Sequence, residues 1–208
     1  MRILNFNSDI NFQKILRANC KVIKNGLPSK CKIYQLENPQ DKDYFDKLSE
    51  KECWDGAVFL DRQSENIKDI NHEFNIFVME DEKSECLGYI TCADFAVKSV
   101  VDFLETAPKL KHEAASYSDE SFRYIGETLL SFVAKRAKWK LKSKIELDST
   151  EGSKNFYTKK CGFKHMPAND YYESPYGSLY CMVLPYAKFD SLIKQNEEHT
   201  QGTINFIA

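Results

Sequence analysis

The sequence has no strong charge of either sign. Its 208 residues carry 29 lysines and arginines against 31 aspartates and glutamates, a net charge of −2. No global field recruits nucleic acid or an anionic membrane, so either partner would need a local patch. No stretch approaches the roughly 20 apolar residues of a membrane helix. Met1-Arg2-Ile3-Leu4-Asn5-Phe6-Asn7-Ser8-Asp9 lacks the continuous apolar run of a signal peptide. The expectation is a soluble, cytoplasmic protein. Internal repeats and low-complexity linkers are also missing. The seven cysteines (Cys20, Cys31, Cys53, Cys86, Cys92, Cys161 and Cys181) are odd in number and without CxxC spacing, so they give no disulfide framework. No His pair stands near Cys86 and Cys92, and His72, His112, His165 and His199 show no ligand or triad spacing. The cysteines read as small buried hydrophobes in a reducing compartment, with no metal bound.

Apolar residues are plentiful, at 42% of the chain with 13% aromatics, so a sizeable core can be buried. We expect one domain over residues 1–208, with a core from about 31 to 186 and a polar, mobile tail from about 195 to 208.

Punctuation along the chain divides it into elements. Asn25-Gly26-Leu27-Pro28 reads as a turn, and Lys32 to Leu36 alternates like a short strand. Asn38-Pro39 is a helix start, with Tyr44, Phe45 and Leu48 at helical spacing. Asn75–Met79 and Leu87–Cys92 form a hairpin around the charged turn Glu80–Ser84, and a third β-rich run, Val97–Leu104, stops before Pro108. Residues 109–121 are polar and predict a loop. A helix follows from Ile125 to Trp139, with Ile125, Leu129, Phe132 and Val133 on one face. Then come a strand at Lys144–Asp148, a short helix over 152–160 stopped by Cys161-Gly162, and a last strand at Leu179–Leu184. Hairpins followed by a strand–helix–strand crossover predict an α+β fold: a mixed, mostly antiparallel sheet with helices on both faces.

Two segments carry chemistry. In Arg123-Tyr124-Ile125-Gly126-Glu127-Thr128-Leu129-Leu130 a loop turns into a helix. A helix N-terminus offers unpaired N–H groups and the positive end of the dipole to phosphate oxygens, and Gly126 lets the backbone come close. The second segment, Asn155-Phe156-Tyr157-Thr158-Lys159-Lys160-Cys161-Gly162-Phe163, places a tyrosine at a helix edge. A phenol held near a sulfur can protonate a departing thiolate. Taken singly, a loop–helix junction and a half-buried tyrosine are the commoner readings of both. The basic run from Lys135 to Lys144 reads as a solvated helix face near a favourable C-terminal dipole. Cys161 has no neighbouring His to activate it, and reads as structural.

Taken together, Val101-Asp102-Phe103-Leu104-Glu105-Thr106-Ala107-Pro108, the Ile125-Gly126-x-x-Leu129-Leu130 helix start and Phe156-Tyr157-x-x-x-Cys161-Gly162-Phe163 resemble the GNAT superfamily of acyl-CoA-dependent N-acyltransferases, over about residues 74–165 and the late strand. In that family a strand ending near a Pro precedes a Q/R-x-x-G-x-G/A loop, a helix, a strand and an F-Y-x-x-x-G-F segment. The loop here admits two registers. Aligned on Leu129-Leu130, Tyr124 takes the first Gly position, Gly126 the second and Ser121 the Q/R position. Aligned on Arg123, Gly126 and Thr128 take the two small-residue positions. The first register respects the buried helix face and is preferred.

The resemblance implies direct transfer of an acetyl group from acetyl-CoA to a primary amine on a small molecule or peptide. A membrane or nucleic acid is not the expected partner, and a homodimer is compatible with the reading. It implies that Leu104, Glu105 and Thr106 pair with the pantetheine chain and that a backbone N–H there holds the oxyanion. The N–H groups of Arg123, Tyr124, Ile125, Gly126, Glu127 and Thr128 take the diphosphate, and Asn155 orients cofactor or acid. Tyr157 is the implied acid and Glu105 the candidate base, since an alkylammonium with a pKa near 10 must lose a proton before it attacks. The rivals are a catalytically idle GNAT-fold module that binds CoA or a protein, and an unrelated α+β interaction domain.

Overall fold

The computed structural model describes residues 17–36, 73–107, 121–174 and 177–207. The helix expected from Asn38-Pro39, Pro108, the loop over 109–120, Cys53, His72 and His112 lie outside them. In chain order come β1 (Arg17–Lys24), β2 (Leu27–Leu36), β3 (Glu73–Asp81), β4 (Cys86–Asp94), β5 (Lys98–Thr106), β6 (Phe122–Arg123), α1 (Ile125–Trp139), β7 (Lys144–Thr150), α2 (Glu151–Asn155), β8 (Lys164–His165), β9 (Tyr171–Ser174), β10 (Gly177–Pro185), α3 (Phe189–Thr200) and β11 (Asn205–Ile207). One sheet runs β11-β1-β2-β3-β4-β5-β7-β10-β8, with β6 on β1 and β9 on β10. Every pairing is antiparallel except β5 with β7, the pair joined by the crossover through α1. The chain therefore has the mixed, mostly antiparallel α+β architecture that the order of hairpins and crossover predicts.

Local chemistry explains the turns. Asn25 and Gly26 both take positive φ, 51° and 82°, between Lys24 and Leu27 of a two-residue hairpin. That turn twists with the strands and needs residues that tolerate left-handed backbone. At the β3–β4 turn the Asp81 carboxylate accepts hydrogen bonds from the N–H groups of Lys83 and Glu85 at 2.8 and 3.0 Å.

The main core lies on the sheet face covered by α1 and α3. Leu129, Leu130, Phe132, Val133 and Ala137 of α1 are fully buried there, against Phe77, Ile90, Ile145 and Met182 of the strands. Burying each of the larger of these, the Leu, Ile, Val, Phe and Met side chains, contributes about 1.5–3 kcal/mol. A second cluster of Leu36, Ile76, Val78, Cys86, Tyr89 and Ala107 occupies the opposite face. The helix expected from Asn38-Pro39 falls on residues outside those described.

Two expected boundaries move. The core begins earlier, because β1 buries Ala18, Cys20 and Val22. Residues 195–207 are not a loose tail: α3 buries Phe189, Leu192, Ile193, Asn196 and Thr200 against α1, and β11 pairs with β1.

The basic run keeps a partly exposed face, and its side chains there are also paired. Lys135 donates to the Ile204 carbonyl at 2.5 Å, Lys138 pairs with Asp190 at 2.6 Å, Lys142 donates to the Phe95 carbonyl at 2.6 Å, and Lys144 pairs with Glu146 at 2.6 Å. Arg136 and Lys140 both bind Asp94, at 2.6 and 3.0 Å, and the Ser99 hydroxyl donates to the same carboxylate at 2.6 Å. No described helix is long and apolar enough to cross a membrane.

Candidate active site

A defect in strand pairing builds the site. Along β4 and β5, Thr91 faces Phe103 but Cys92 faces Val101, so Asp102 is an extra residue, a β-bulge. Its effect shows in the side chains: Val101 and Leu104 both belong to the core cluster under α1, while Phe103 belongs to the cluster on the other face. The parallel pairing of β5 with β7 ends at Val101–Leu147. Beyond it the two strands part.

The gap encloses about 220 Å³, lined among others by Asp102, Phe103, Leu104, Asp148, Ser149 and Tyr157. Its walls include residues of both clusters, so the lining of this slot spans the two faces of the sheet. On the α1 side stand Leu104 and Tyr157. Strand alternation puts Asp148, between the buried Leu147 and Ser149, on the other side with Phe103.

Tyr157 comes from the turn that continues α2. Phe156–Lys160 forms a π-helical turn, a rare geometry that recurs at functional sites. Gly162, with φ 74°, ends the segment, and the rings of Phe156 and Phe163 meet Tyr157 edge-on at 5.1 and 5.8 Å. Burial, and then the neighbouring Cys161, push the Tyr157 phenol well above its ordinary range, so it stays protonated at neutral pH. The Cys161 thiol is itself pushed up by burial and by Glu127, which suits a structural thiol rather than a nucleophile.

The other expected residues are placed as follows. Leu104 lines the slot, and the Leu104–Thr106 backbone pairs with β4 on its far edge. The Glu105 side chain is buried away from the slot lining, where the Tyr89 hydroxyl donates to its carboxylate at 3.2 Å. Arg123 lies in β6, exposed, opposite Ile23. Asn155 ends α2 and is exposed.

At the start of α1, Tyr124 is the N-cap residue with φ 68° and ψ 15° and makes no side-chain cap. This left-handed backbone falls at the position that the Leu129-Leu130 register gives to a glycine. The Tyr124 ring stacks on His199 of α3 at 4.8 Å, and His199 meets the buried Glu127 carboxylate at 2.8 Å. A Cβ on Gly126 would meet Phe156 at 3.3 Å and Leu104 at 3.8 Å, so the missing side chain here admits a ring from the F-Y segment. Thr128 closes the first helical turn by donating its N–H and its hydroxyl to the Tyr124 carbonyl at 2.8 and 2.7 Å.

Sequence reasoning did not single out Asp102, Asp148 or His199. The break in alternation between Val101 and Leu104 was the readable sign of the bulge. His199 gave no sign, since its partner lies 72 residues away.

No protein-family model matches the chain, and no curated protein matches it in sequence. Solved structures do match. A GNAT-family protein from Desulfovibrio desulfuricans aligns over 75% of this chain and 99% of its own, with a TM-score of 0.55 and 11% identity. The dodecameric spermidine N-acetyltransferase of Vibrio cholerae aligns over 76% of this chain and 95% of its own, with a TM-score of 0.51 and 14% identity. At such identities the likeness is one of fold: this chain has the fold of the GNAT acyltransferases.

Proposed function

We propose that the chain moves an acetyl group from acetyl-CoA to a primary amine by direct transfer. The observation that carries this reading is the slot itself: a strand-pairing gap that holds a protonated tyrosine beside a free strand end. Its roughly 220 Å³ suits an acetyl thioester and the end of a pantetheine arm rather than a bulky acyl chain. Acetyl-CoA supplies the activated acyl group.

The chain's residues do the rest. Backbone along Leu104–Thr106 orients the arm, and an N–H there polarises the thioester carbonyl and holds the oxyanion. The first N–H groups of α1, with the loop residues Arg123 and Tyr124, take the diphosphate. Tyr157 gives its proton to the departing sulfur. Asn155, exposed at the end of α2, orients the coenzyme. Glu105, held by Tyr89, fixes the strand that carries the oxyanion donor.

The test is thiol release from acetyl-CoA with a panel of amines that includes spermidine, the acceptor named for the Vibrio neighbour. Release with at least one amine is expected. Tyr157→Phe should then lower kcat by about 10²-fold or more while the thermal shift given by CoA is unchanged. An unchanged kcat removes Tyr157 from the acid role.

One observation favours a second reading, an idle module that binds CoA or a protein. The α1 start carries a tyrosine and a buried carboxylate where phosphate would sit, and its one glycine faces Phe156. That reading predicts a thermal shift with CoA and no thiol release with any amine.

A further inference from the structure

The slot has an acid on one side and needs a base on the other. An amine that enters from the side opposite Tyr157 meets the carboxylates of Asp102 and Asp148, both in the lining. Glu105 is not among the lining residues and is engaged with Tyr89. Glu146, next along β7, is taken by Lys98 and Lys144. Asp170 is taken by His165 and by the Cys181 N–H.

We propose that Asp148 takes the proton from the attacking amine, directly or through one water, on the side of the slot opposite Tyr157. The inference rests on the acyl-transfer reading above.

The environment suits the role. Asp148 is an exposed residue at the edge of the slot; partial desolvation, and then the negative charges of Asp102, Glu146 and Asp170, push its carboxyl above its ordinary range, while Lys98 on β5 pulls the other way. Cys181 of β10 is the remaining titratable neighbour, and its thiol is itself pushed up by burial and by Asp148. Each unit by which a base's pKa rises makes it tenfold better at holding the amine's proton.

The atoms balance as follows. Asp148 accepts one N–H proton of the ammonium, and the freed lone pair forms the C–N bond. When the C–S bond breaks, the sulfur takes the Tyr157 proton, and the second proton of the new amide nitrogen restores the phenol through water. Asp148 returns its proton to solvent, so one proton is released per turnover.

The experiment follows thiol release from acetyl-CoA with spermidine and with butylamine as probe amines, across pH. With active wild type, Asp148→Asn should lose 10²- to 10⁴-fold in kcat and lose the acid limb of the profile, while CoA still raises the melting temperature. Asp102→Asn should keep the acid limb but move it to lower pH, because a like charge has been removed. An Asp148→Asn enzyme with kcat within threefold of wild type and its acid limb intact overturns the proposal. So does transfer of the limb's loss to Glu105→Gln. Should the Asn variant not melt cooperatively, carboxyl NMR titration of the unaltered protein decides. An Asp148 midpoint above about 4 supports the role, and one at or below it sinks it. A wild type that binds CoA but releases no thiol with either amine or the wider panel overturns the transfer reading itself, a distinct result.

Discussion

Tyr124 is the residue at which conformation and chemistry conflict most openly. A left-handed backbone costs a residue with a Cβ about 1 kcal/mol or more relative to glycine. Here the cost is offset by the stack on His199. Replacing Tyr124 by Ala removes the stack and keeps the strain, whereas Gly removes both. The Gly variant should therefore be more stable than the Ala variant by about 1 kcal/mol in urea unfolding. Equal stabilities would mean that the backbone relaxes out of the left-handed region.

Asp94 is the structural counterpart. It joins the end of β4 to α1 through Arg136, which is 1% exposed. Burial alone would raise its pKa, but Arg136, the Ser99 hydroxyl and Lys140 together outweigh burial and hold it below the ordinary carboxylate value. Asp94→Asn removes the carboxylate paired with the buried Arg136 and should cost about 3–5 kcal/mol at neutral pH. For a depressed carboxylate, the stabilisation is present above the unfolded pKa and is lost as pH falls through the folded one. The gap between variant and wild type should therefore be full above about pH 4 and shrink below it. A gap that stays constant down to pH 2 would contradict the pairing.

At the level of elements, the bulge in β5 makes the site. Deleting Asp102 restores strict alternation, because Val101 and Leu104 already face one core and Phe103 the other. The β5–β7 ladder should then extend past Val101 and close the slot. The expected outcome is a variant that melts within a few degrees of wild type and shows no thermal shift with CoA. A retained shift would mean that the slot does not hold the coenzyme.

Elements also mark how far the sequence could be read. The strands and helix from Asn75 to Leu184 were legible because their buried residues are large and regularly spaced. β1 was missed because its inward positions Ala18 and Cys20 are small, leaving only Val22 as a plain hydrophobic signal. The end of α3, from residue 195, was read as polar tail because two of the helix's five buried residues are polar: the Thr200 hydroxyl donates to the Asn196 carbonyl, and the Asn196 amide donates to the Thr128 hydroxyl across the helix pair. Tyr157 was legible through its segment. Asp148 was not, since a β-strand aspartate looks solvent-facing until the opposite strand is known to part from it.

Across the whole molecule, the slot's lining draws on residues from both faces of the sheet. Under the proposed transfer the coenzyme and the amine would approach from opposite faces of one sheet, so neither would block the other and either could dock first. Direct transfer would then await both, and no acyl group would rest on the protein between visits. Initial-rate plots at several fixed amine concentrations should therefore intersect rather than run parallel. CoA as a product should compete with acetyl-CoA alone, and the acetylated amine with the amine alone. Parallel lines would instead require a covalent waystation, and the buried, protonated Cys161 is poorly suited to be one.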